Sequence, residues 1–185
     1  MTGDHLNINT SLISLRPVIE ADAKFIYDLR HSELGAFLKP TSSDIKDQEQ
    51  YLSEYLTRFK AGDEVYYVIG DLRAGREVGV TRITKLNSAE LFGWESLIIS
   101  KNASPGVAID AIFLIYKIGF QLLGKTVCGP WAVQKENSRV NRLHQLMLIA
   151  EKVSEDNEHF YYRVSGESFV ERQKYFESRG FGKIL

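Results

Sequence analysis

The chain has 185 residues with 23 basic and 24 acidic side chains, and its formal net charge at pH 7 is −1. This balance argues against a general nucleic-acid surface and a polybasic membrane patch, and the single cysteine rules out an intrachain disulfide. The length predicts one domain over residues 1–185, and the lack of a signal-peptide pattern or a bilayer-length apolar run predicts a cytoplasmic protein.

The first half of the chain predicts one strand, two helices and a group of three strands. Apolar residues alternate up to Pro17, as in a strand, and they recur at helical spacing in the next two segments, for example at Tyr51 and Tyr55. A loop containing Gly35 and Pro40 separates the two helices. The predicted elements are a strand at 11–17, helices at 20–32 and 47–62, and strands at 64–72, 76–86 and 89–100.

The second half predicts helices and strands in alternation. A turn at residues 101–106 leads into a helix that is nearly all apolar from residue 111 to 123, which is typical of a helix packed on a sheet. The later predicted elements are a strand at 125–134, a helix at 136–148, a hairpin with strands at 151–156 and 158–166, and a terminal helix at 167–177. Adjacent strands with helices between them favour an α+β or mixed α/β fold.

The turn before the apolar helix is built from small residues, at Ala103, Ser104, Gly106 and Ala108. Amide groups at a helix start carry partial positive charge and attract anions, and small side chains let a phosphate approach the backbone. The same residues also fit a simple connection into a core helix. The sequence alone leaves both interpretations open.

A polar stripe runs along the predicted helix at 136–148. Asn137, Asn141 and His144 are spaced at i, i+4 and i+7, so they share one face of the helix. The adjacent apolar stripe, which would hold the helix on the sheet, consists of Val140, Leu143 and Met147. The alternative is that Asn137 only caps the helix and that His144 is a solvated surface histidine.

The order of these elements resembles the GCN5-related N-acetyltransferase (GNAT) superfamily. The acyl-CoA motif of that superfamily is Arg/Gln-x-x-Gly-x-Gly/Ala, and here Lys101-x-x-Ser104-x-Gly106 stands in its place, with Asp110-Ala111 at the acidic-Ala start of the helix. Lysine replaces Arg/Gln, serine replaces the first glycine, and Pro105 lies inside the loop. The turn is therefore a degenerate match to the motif.

The resemblance covers nearly the whole chain in element order. It implies a single GNAT-like domain with a central twisted mixed sheet of about six to seven strands flanked by helices. Leu148-Ile149 stands where the later motif usually ends in Gly-Phe. A second Gly-Phe near the C-terminus leaves no room for the strand that must follow that motif, so residues 175–185 are interpreted as a terminal helix and tail.

Membership of this superfamily implies acetyl-CoA as the acyl donor, and no metal site is predicted. The pantetheine arm would lie between two splayed strands, here 89–100 and 125–134. Gly129-Pro130 fits a splay there, although it also fits an ordinary edge bulge. Backbone amides from Leu97 to Ile99 are candidates for stabilising the developing oxyanion. The candidate CoA-binding residues are Leu97, Ile99, Lys101, Ser104, Gly106, Val107, Ala108, Asn137 and Asn141.

Two candidate catalytic residues follow from the same resemblance. The acceptor amine arrives protonated, and Glu95 is the candidate base because a buried glutamate beside Trp94 would suit that role; the alternative is a solvent-facing carboxylate. His144 stands where the superfamily often has a tyrosine acid, and histidine titrates near neutrality. Cys128 is interpreted as a small buried residue.

The acceptor site is predicted beside the loop at 33–44. Arg30 could hold a nucleotide diphosphate bidentately, although a solvated arginine at a helix end is the alternative. His31, Tyr66 and Trp94 complete the candidate acceptor-binding residues, the two aromatic residues by stacking on a base or sugar, unless they are core residues.

The opening segment "LRP…D…I…LR" resembles the branch of ribosomal-protein and nucleotide-sugar acetyltransferases. We therefore expect an N-acetyltransferase for the amine of a nucleotide-linked amino sugar used in surface polysaccharide or glycan synthesis, as a monomer or homodimer. A protein N-terminal acetyltransferase and a non-catalytic acyl-CoA-binding regulatory module are the alternatives. We expect neither a nucleic-acid nor a membrane partner.

Overall fold

A single sheet of eight strands organises the part of the chain that the computed structural model describes, residues 7–147 and 149–185. The strands are β1 (Ile8–Asn9), β2 (Ile13–Pro17), β3 (Val65–Asp71), β4 (Arg76–Thr84), β5 (Leu91–Ile99), β6 (Val127–Gln134), β7 (Glu151–Glu155) and β8 (His159–Ser165). Their order across the sheet is β1-β2-β3-β4-β5-β6-β8-β7. Neighbouring strands are antiparallel except β5 and β6, which are parallel.

Five α-helices connect these strands in the described residues. They are α1 (Ala23–Arg30), α2 (Ile45–Lys60), α3 (Val107–Lys117), α4 (Ser138–Met147) and α5 (Gly166–Glu177). The predicted mixed α/β fold is confirmed. The sheet has one strand more than the predicted six or seven, because the two-residue β1 is too short for its sequence to show alternation. Among the described residues no helix is long and apolar enough to cross a membrane.

Helices α1 and α2 pack on one face of the sheet. Their inward residues follow the helical period, and Ile26, Leu52 and Tyr55 are fully buried. Asp44 caps α2, because its carboxylate accepts the Lys46 amide at 2.9 Å. On this face the helices cover the middle rows of β3, β4 and β5.

Helices α3 and α5 pack on the opposite face. Eight of the eleven residues of α3 are buried, and the buried acid Asp110 is among them. Its carboxylate accepts the Thr10 hydroxyl at 2.5 Å and the Gly182 amide at 2.5 Å. Burial raises the pKa of Asp110, although these two hydrogen bonds act against the shift. Asp110 thereby joins α3 to both ends of the described chain.

Strands β5 and β6 separate after two paired positions. Leu91 pairs with Val127 and Phe92 with Cys128, and the parallel ladder then stops. Gly129, at φ 98°, begins an irregularity in the pairing of β6 with β8, and the following proline has no amide hydrogen to donate. The predicted splay is present, and it leaves the facing edges of β5 and β6 open.

Candidate active site

A bulge in β5 lies beside this opening. Arg82 pairs with Glu95 and Val80 with Ile98, so Thr81 alone stands opposite two residues of β5, Ser96 and Leu97. Ser96 has a left-handed backbone at φ 59°, which is uncommon for a residue other than glycine. A bulge of this kind removes an amide from the ladder and redirects it. The backbone amides near Leu97 therefore remain candidates for binding a developing negative charge.

Glu95 lies immediately before the bulge, on the face that α1 and α2 cover. Its carboxylate pairs with Arg82 and accepts the Thr84 hydroxyl at 3.2 Å. The expected burial beside Trp94 is wrong: 44% of the Glu95 side chain is exposed, and consecutive strand residues point to opposite faces. The Glu95 carboxylate is therefore partly open to solvent and held in place by Arg82 and Thr84.

Arg82 is the centre of the polar cluster around Glu95. It also donates to the Tyr51 hydroxyl and lies 3.5 Å from a carboxylate oxygen of Glu64. Glu64 in turn is bound by Arg58 at 2.6 Å. These ion pairs fix the Arg82 guanidinium between β3, β5 and α2, and they orient the Glu95 carboxylate.

His144 packs on the other face, against the strand residue next to Glu95. Its ring centroid lies 6.1 Å from that of Trp94, 5.4 Å from that of Trp131 and 4.7 Å from that of Tyr162. Only 2% of the residue is exposed, and burial lowers the pKa of His144 to about 4. The expectations of a surface residue and of titration near neutrality are both wrong, because aromatic rings enclose the imidazole. The ring is neutral at pH 7.

The polar stripe of α4 faces inward and ties the helix to β6 and β8. Asn137 accepts the Val140 amide at 3.2 Å, which is an N-cap contact. Asn141 donates to the carbonyl of Gln134 at 3.0 Å and accepts the Tyr162 hydroxyl at 3.0 Å. The apolar stripe predicted for the inner side is only partly confirmed. Met147 is buried, whereas Val140 and Leu143 are half-buried.

The turn before α3 presents backbone amides as predicted, but some of its groups already have partners. Gly106, at φ 93°, is the N-cap of α3. The Ser104 amide donates to Asp71 at 2.7 Å, and the Val107 amide to the Ser104 carbonyl at 3.2 Å. The next amides, of Ala108 and Ile109, belong to the first turn, where helical partners are lacking. They are the best placed to bind an anion.

This geometry favours a second register for the acyl-CoA motif. With Gly106 as the N-cap, Ala103-x-x-Gly106-x-Ala108 matches the Gly-x-Gly/Ala end of Arg/Gln-x-x-Gly-x-Gly/Ala. Lys101 is exposed and pairs with Glu33 of the preceding loop. Arg76 approaches the same turn and donates to the Asn102 carbonyl at 3.0 Å. The sequence did not show that Arg76 lies near this turn, because its position depends on the β3–β4 hairpin.

The loop at 33–44 spans the opening between β5 and β6 on the α1/α2 side. At one end Glu33 pairs with Lys101 of the turn before α3, and further along Gln134 of β6 donates to the Phe37 carbonyl at 3.4 Å. Arg30 donates to the Lys39 carbonyl at 2.9 Å, and Tyr27 to the Ser43 carbonyl at 2.8 Å. The loop therefore crosses from the end of β5 to β6 on the face where Glu95 lies.

The residues predicted to bind the acceptor substrate lie on both faces of the sheet. Arg30 and Tyr66 lie on the α1/α2 side, where Tyr66 is buried and pairs across the strands with Arg82. His31 is exposed and stacks on Tyr27 with ring centroids 4.0 Å apart. Trp94 belongs to the His144 side, and its indole donates to Thr81 at 3.1 Å. Tyr66 and Trp94 are both buried in the core, which is the alternative to stacking on a base or sugar.

Three side chains that sequence reasoning missed complete the geometry. Trp131 and Tyr162 form part of the His144 enclosure, and Arg82 holds Glu95. The alternation of β8 indicates that Tyr162 faces inward. Nothing in the local sequence shows which helix it would meet.

Comparisons with known proteins identify the family. No family model matches the chain, and no curated protein does. Among solved structures, "Apo FdhC- a nucleotide-linked sugar GNAT" is 30% identical with a TM-score of 0.82, covering 95% of this chain and 98% of its own. A GCN5-related N-acetyltransferase from Brucella melitensis is 14% identical with a TM-score of 0.73, covering 93% of this chain and 84% of its own.

A third solved structure is that of spermidine N-acetyltransferase from Vibrio cholerae in complex with CoA and spermine. It is 16% identical with a TM-score of 0.69, covering 86% of this chain and 99% of its own. At this identity it supports the fold alone, as does the Brucella structure.

The similarity to the nucleotide-linked sugar GNAT extends over nearly the full length of both chains. The chain belongs to the GCN5-related N-acetyltransferase superfamily, and it is an acyl-CoA-dependent N-acetyltransferase. The described residues fit CoA in two places: the first turn of α3 offers amides to a pyrophosphate, and the open edges of β5 and β6 offer backbone groups to an extended arm.

Proposed function

We propose that this enzyme transfers an acetyl group from acetyl-CoA to the amino group of a nucleotide-linked amino sugar, in the synthesis of a surface polysaccharide or glycan. The observation that carries this proposal is the 30% identity to a nucleotide-linked sugar GNAT over 98% of that chain. The spermidine enzyme is only 16% identical, so it gives no comparable support for a polyamine acceptor.

Binding of the acyl donor is assigned to the turn before α3 and the opening beside β5. The amides of Ala108 and Ile109 meet the pyrophosphate, and Lys101 and Arg76 add positive charge at the edge of the turn. The edge of β5 from Leu97 to Ile99 pairs with the pantetheine arm. Asn137 and Asn141 act indirectly, because they hold α4 and β6 in place.

The acyl transfer itself needs a base, an oxyanion donor and a group facing the leaving sulfur. Acetyl-CoA supplies an activated thioester. Glu95 takes one proton from the acceptor ammonium, and the neutral amine attacks the thioester carbonyl carbon while an amide of the β5 bulge donates to the carbonyl oxygen as negative charge develops on it. The C–S bond then breaks, and the CoA thiolate takes up the second proton that the nitrogen loses. His144, neutral at pH 7, offers a ring N–H to the departing sulfur as a hydrogen-bond donor.

Thiol release tests the proposal directly. The protein is incubated with acetyl-CoA and, separately, with nucleotide-linked amino sugars, the corresponding free amino sugars, spermidine and N-terminal peptides. We expect the highest kcat/KM with a nucleotide-linked amino sugar. Higher kcat/KM with spermidine or a peptide would contradict the proposed acceptor, and no thiol release with any amine would favour a non-catalytic acyl-CoA-binding module.

Glu95→Gln keeps the shape of the base and removes its proton affinity. Its kcat/KM should fall by about two to four powers of ten, the usual contribution of a positioned base. Glu90→Gln, just before β5, is the matched control and should leave kcat/KM unchanged. Equal rates for the two variants would remove Glu95 from the mechanism.

A further inference from the structure

Three buried donors on the α1/α2 side of the sheet lack a hydrogen-bond partner among residues 7–147 and 149–185. They are Nε of Arg30, Nε2 of Gln48 and Nε of Arg82. Gln48 is only 8% exposed. Buried polar groups are almost always hydrogen-bonded, because an unpaired buried donor loses its bonds to water and gains none in return. Three such donors in one layer of the protein indicate a bound group rich in acceptor atoms.

The elements that carry these donors meet at one end of the helix pair. Arg30 is the last residue of α1, and Gln48 lies in the first turn of α2. The Tyr27 hydroxyl, which donates to the Ser43 carbonyl at 2.8 Å, ties the end of α1 to the start of α2. Arg30 and Gln48 therefore both lie where the loop at 33–44 joins the two helices.

Arg82 reaches the same region from the sheet. Gln48 and Tyr51 are three residues apart on α2, so their side chains are neighbours, and the Tyr51 hydroxyl accepts from Arg82. Burial raises the pKa of Tyr66, and the positive charges of both Arg30 and Arg82 oppose that shift. The two guanidinium groups are thus both within electrostatic reach of one phenol.

The existing bonds of the two arginines fix their orientation and leave a positive charge uncompensated. Arg30 is held by the Lys39 carbonyl, and Arg82 by Tyr51 and Glu95. Arg58 and Glu64 belong to the same polar layer. It then holds three arginines, at 30, 58 and 82, and two glutamates, at 64 and 95, so one positive charge is in excess. An excess positive charge and three unpaired N–H donors suit a group with negative charge and several oxygen atoms.

We propose that Arg30, Gln48 and Arg82 form one binding site for a phosphate group of the acceptor. The site rests on the proposed function, and it adds Gln48 as an uncharged specificity residue. Arg82 connects the phosphate site to the catalytic base. One of its terminal nitrogens binds Glu95, and its Nε faces the phosphate. The amine of the same molecule is then delivered to the base.

Binding of nucleoside diphosphates in the absence of acetyl-CoA tests the site without relying on turnover. Calorimetry with UDP, GDP and dTDP, and with inorganic pyrophosphate, gives the Kd for wild type and variants. Gln48→Leu, which keeps the volume and removes one neutral donor, should weaken binding by about tenfold. Arg30→Ala should weaken it by about 10- to 100-fold, since a charged donor is lost.

Gln50→Leu is the matched control, because Gln50 is exposed on the same helix and donates only to Glu54. It should bind the diphosphates as wild type does. Gln48→Glu, which keeps the shape and adds a negative charge, should bind more weakly than Gln48→Leu. Thermal unfolding followed by circular dichroism shows whether each variant is folded.

The outcomes separate this site from the proposed function. If wild type acetylates nucleotide-linked amino sugars and Gln48→Leu and Arg30→Ala keep the wild-type Kd and KM, the phosphate site is wrong and the function stands. If wild type binds diphosphates through these residues but acetylates only other amines, the function is wrong and the site stands. Wild-type protein that binds none of the diphosphates overturns the site.

Discussion

The imidazole of His144 is enclosed by the rings of Trp94, Trp131 and Tyr162, which deprive its charged form of water. Burial lowers the pKa of His144 to about 4. A neutral ring can donate one N–H to a leaving sulfur over the whole physiological pH range. The pH dependence of turnover near neutrality therefore belongs to other groups.

The burial of His144 also makes the stability of the folded protein sensitive to acid. In the unfolded chain a histidine titrates near 6.5, whereas folded His144 titrates at about 4. Between these values the unfolded state binds the proton, so stability falls as pH drops from 6.5 to 4. The full loss is about 3 kcal/mol.

His144→Phe removes this proton binding while keeping an aromatic ring. We expect the free energy of unfolding of the variant, relative to wild type, to rise by about 2–3 kcal/mol between pH 7.5 and pH 4.5. Urea unfolding at these two pH values measures the difference. His31→Phe, at an exposed histidine, should show no such change. A difference between His144→Phe and wild type that is independent of pH would contradict the burial argument.

At the scale of elements, the β5 bulge and the start of α3 set the geometry of the site. The start of α3 is also where a single substitution can test donor binding. Gly106 is unsuitable, because its φ is 93° and a Cβ there would lie 3.1 Å from the Phe181 ring. A side chain at that position would strain the backbone and press on the C-terminal tail. Ala108 is half-buried in the first turn and has an ordinary helical backbone.

Ala108→Glu should weaken CoA binding while the protein stays folded. A carboxylate in the first turn is favourable to the helix, but it competes with the pyrophosphate for the same amides. Isothermal calorimetry should show a loss of CoA affinity of at least about tenfold, because a repelled charge and lost hydrogen bonds act together. Ser53→Glu, exposed on α2, is the control. Unchanged CoA affinity for Ala108→Glu would show that the turn is only a connection.

Much of the fold was predictable because hydrophobic periodicity is local. Helix α2 was predicted at 47–62 and is found at Ile45–Lys60, and the strand predicted at 125–134 is found at Val127–Gln134. The opening between β5 and β6 was also indicated, since glycine and proline cannot continue a ladder. These features depend on residues within one segment.

The candidate site was less predictable because it depends on which segments meet. Glu95 and Trp94 are adjacent in sequence, but strand alternation sends them to opposite faces. His144 was expected either to lie at the surface or to titrate near neutrality. Its burial depends on Trp131 and Tyr162, which arrive from strands that only the tertiary fold brings to α4. The bulge at Ser96 likewise leaves no pattern in the sequence.

At the scale of the whole molecule, the C-terminal tail supports the start of α3. Phe181 packs against Gly106, and the Gly182 amide donates to Asp110 in the first turn of that helix. Lys117, at the other end of α3, donates to the Gly182 carbonyl at 2.9 Å. Phe181 and Gly182 are therefore part of the framework that positions the turn before α3.

Asp110→Ala tests this support. It removes the acceptor of the Gly182 amide and the shorter of the two hydrogen bonds of the Thr10 hydroxyl, which keeps a 3.4 Å contact with the Ile13 carbonyl, so the free energy of unfolding should fall by about 1–3 kcal/mol. Urea unfolding measures the loss, and trypsin should cleave after Lys183 faster than in wild type. Asp28→Ala, at an exposed carboxylate paired with Lys24, should change the free energy of unfolding by less than about 0.5 kcal/mol.

The C-terminal tail and the turn before α3 should also respond together to this substitution. Once the contact between Asp110 and Gly182 is lost, Phe181 no longer presses on Gly106, and the first turn of α3 loses the packing that fixes its amides. CoA affinity of Asp110→Ala, measured under conditions where the variant is fully folded, should therefore fall along with stability. A variant that is destabilised and cleaved faster, yet binds CoA with wild-type affinity, would show that the tail stabilises the fold without shaping the donor site.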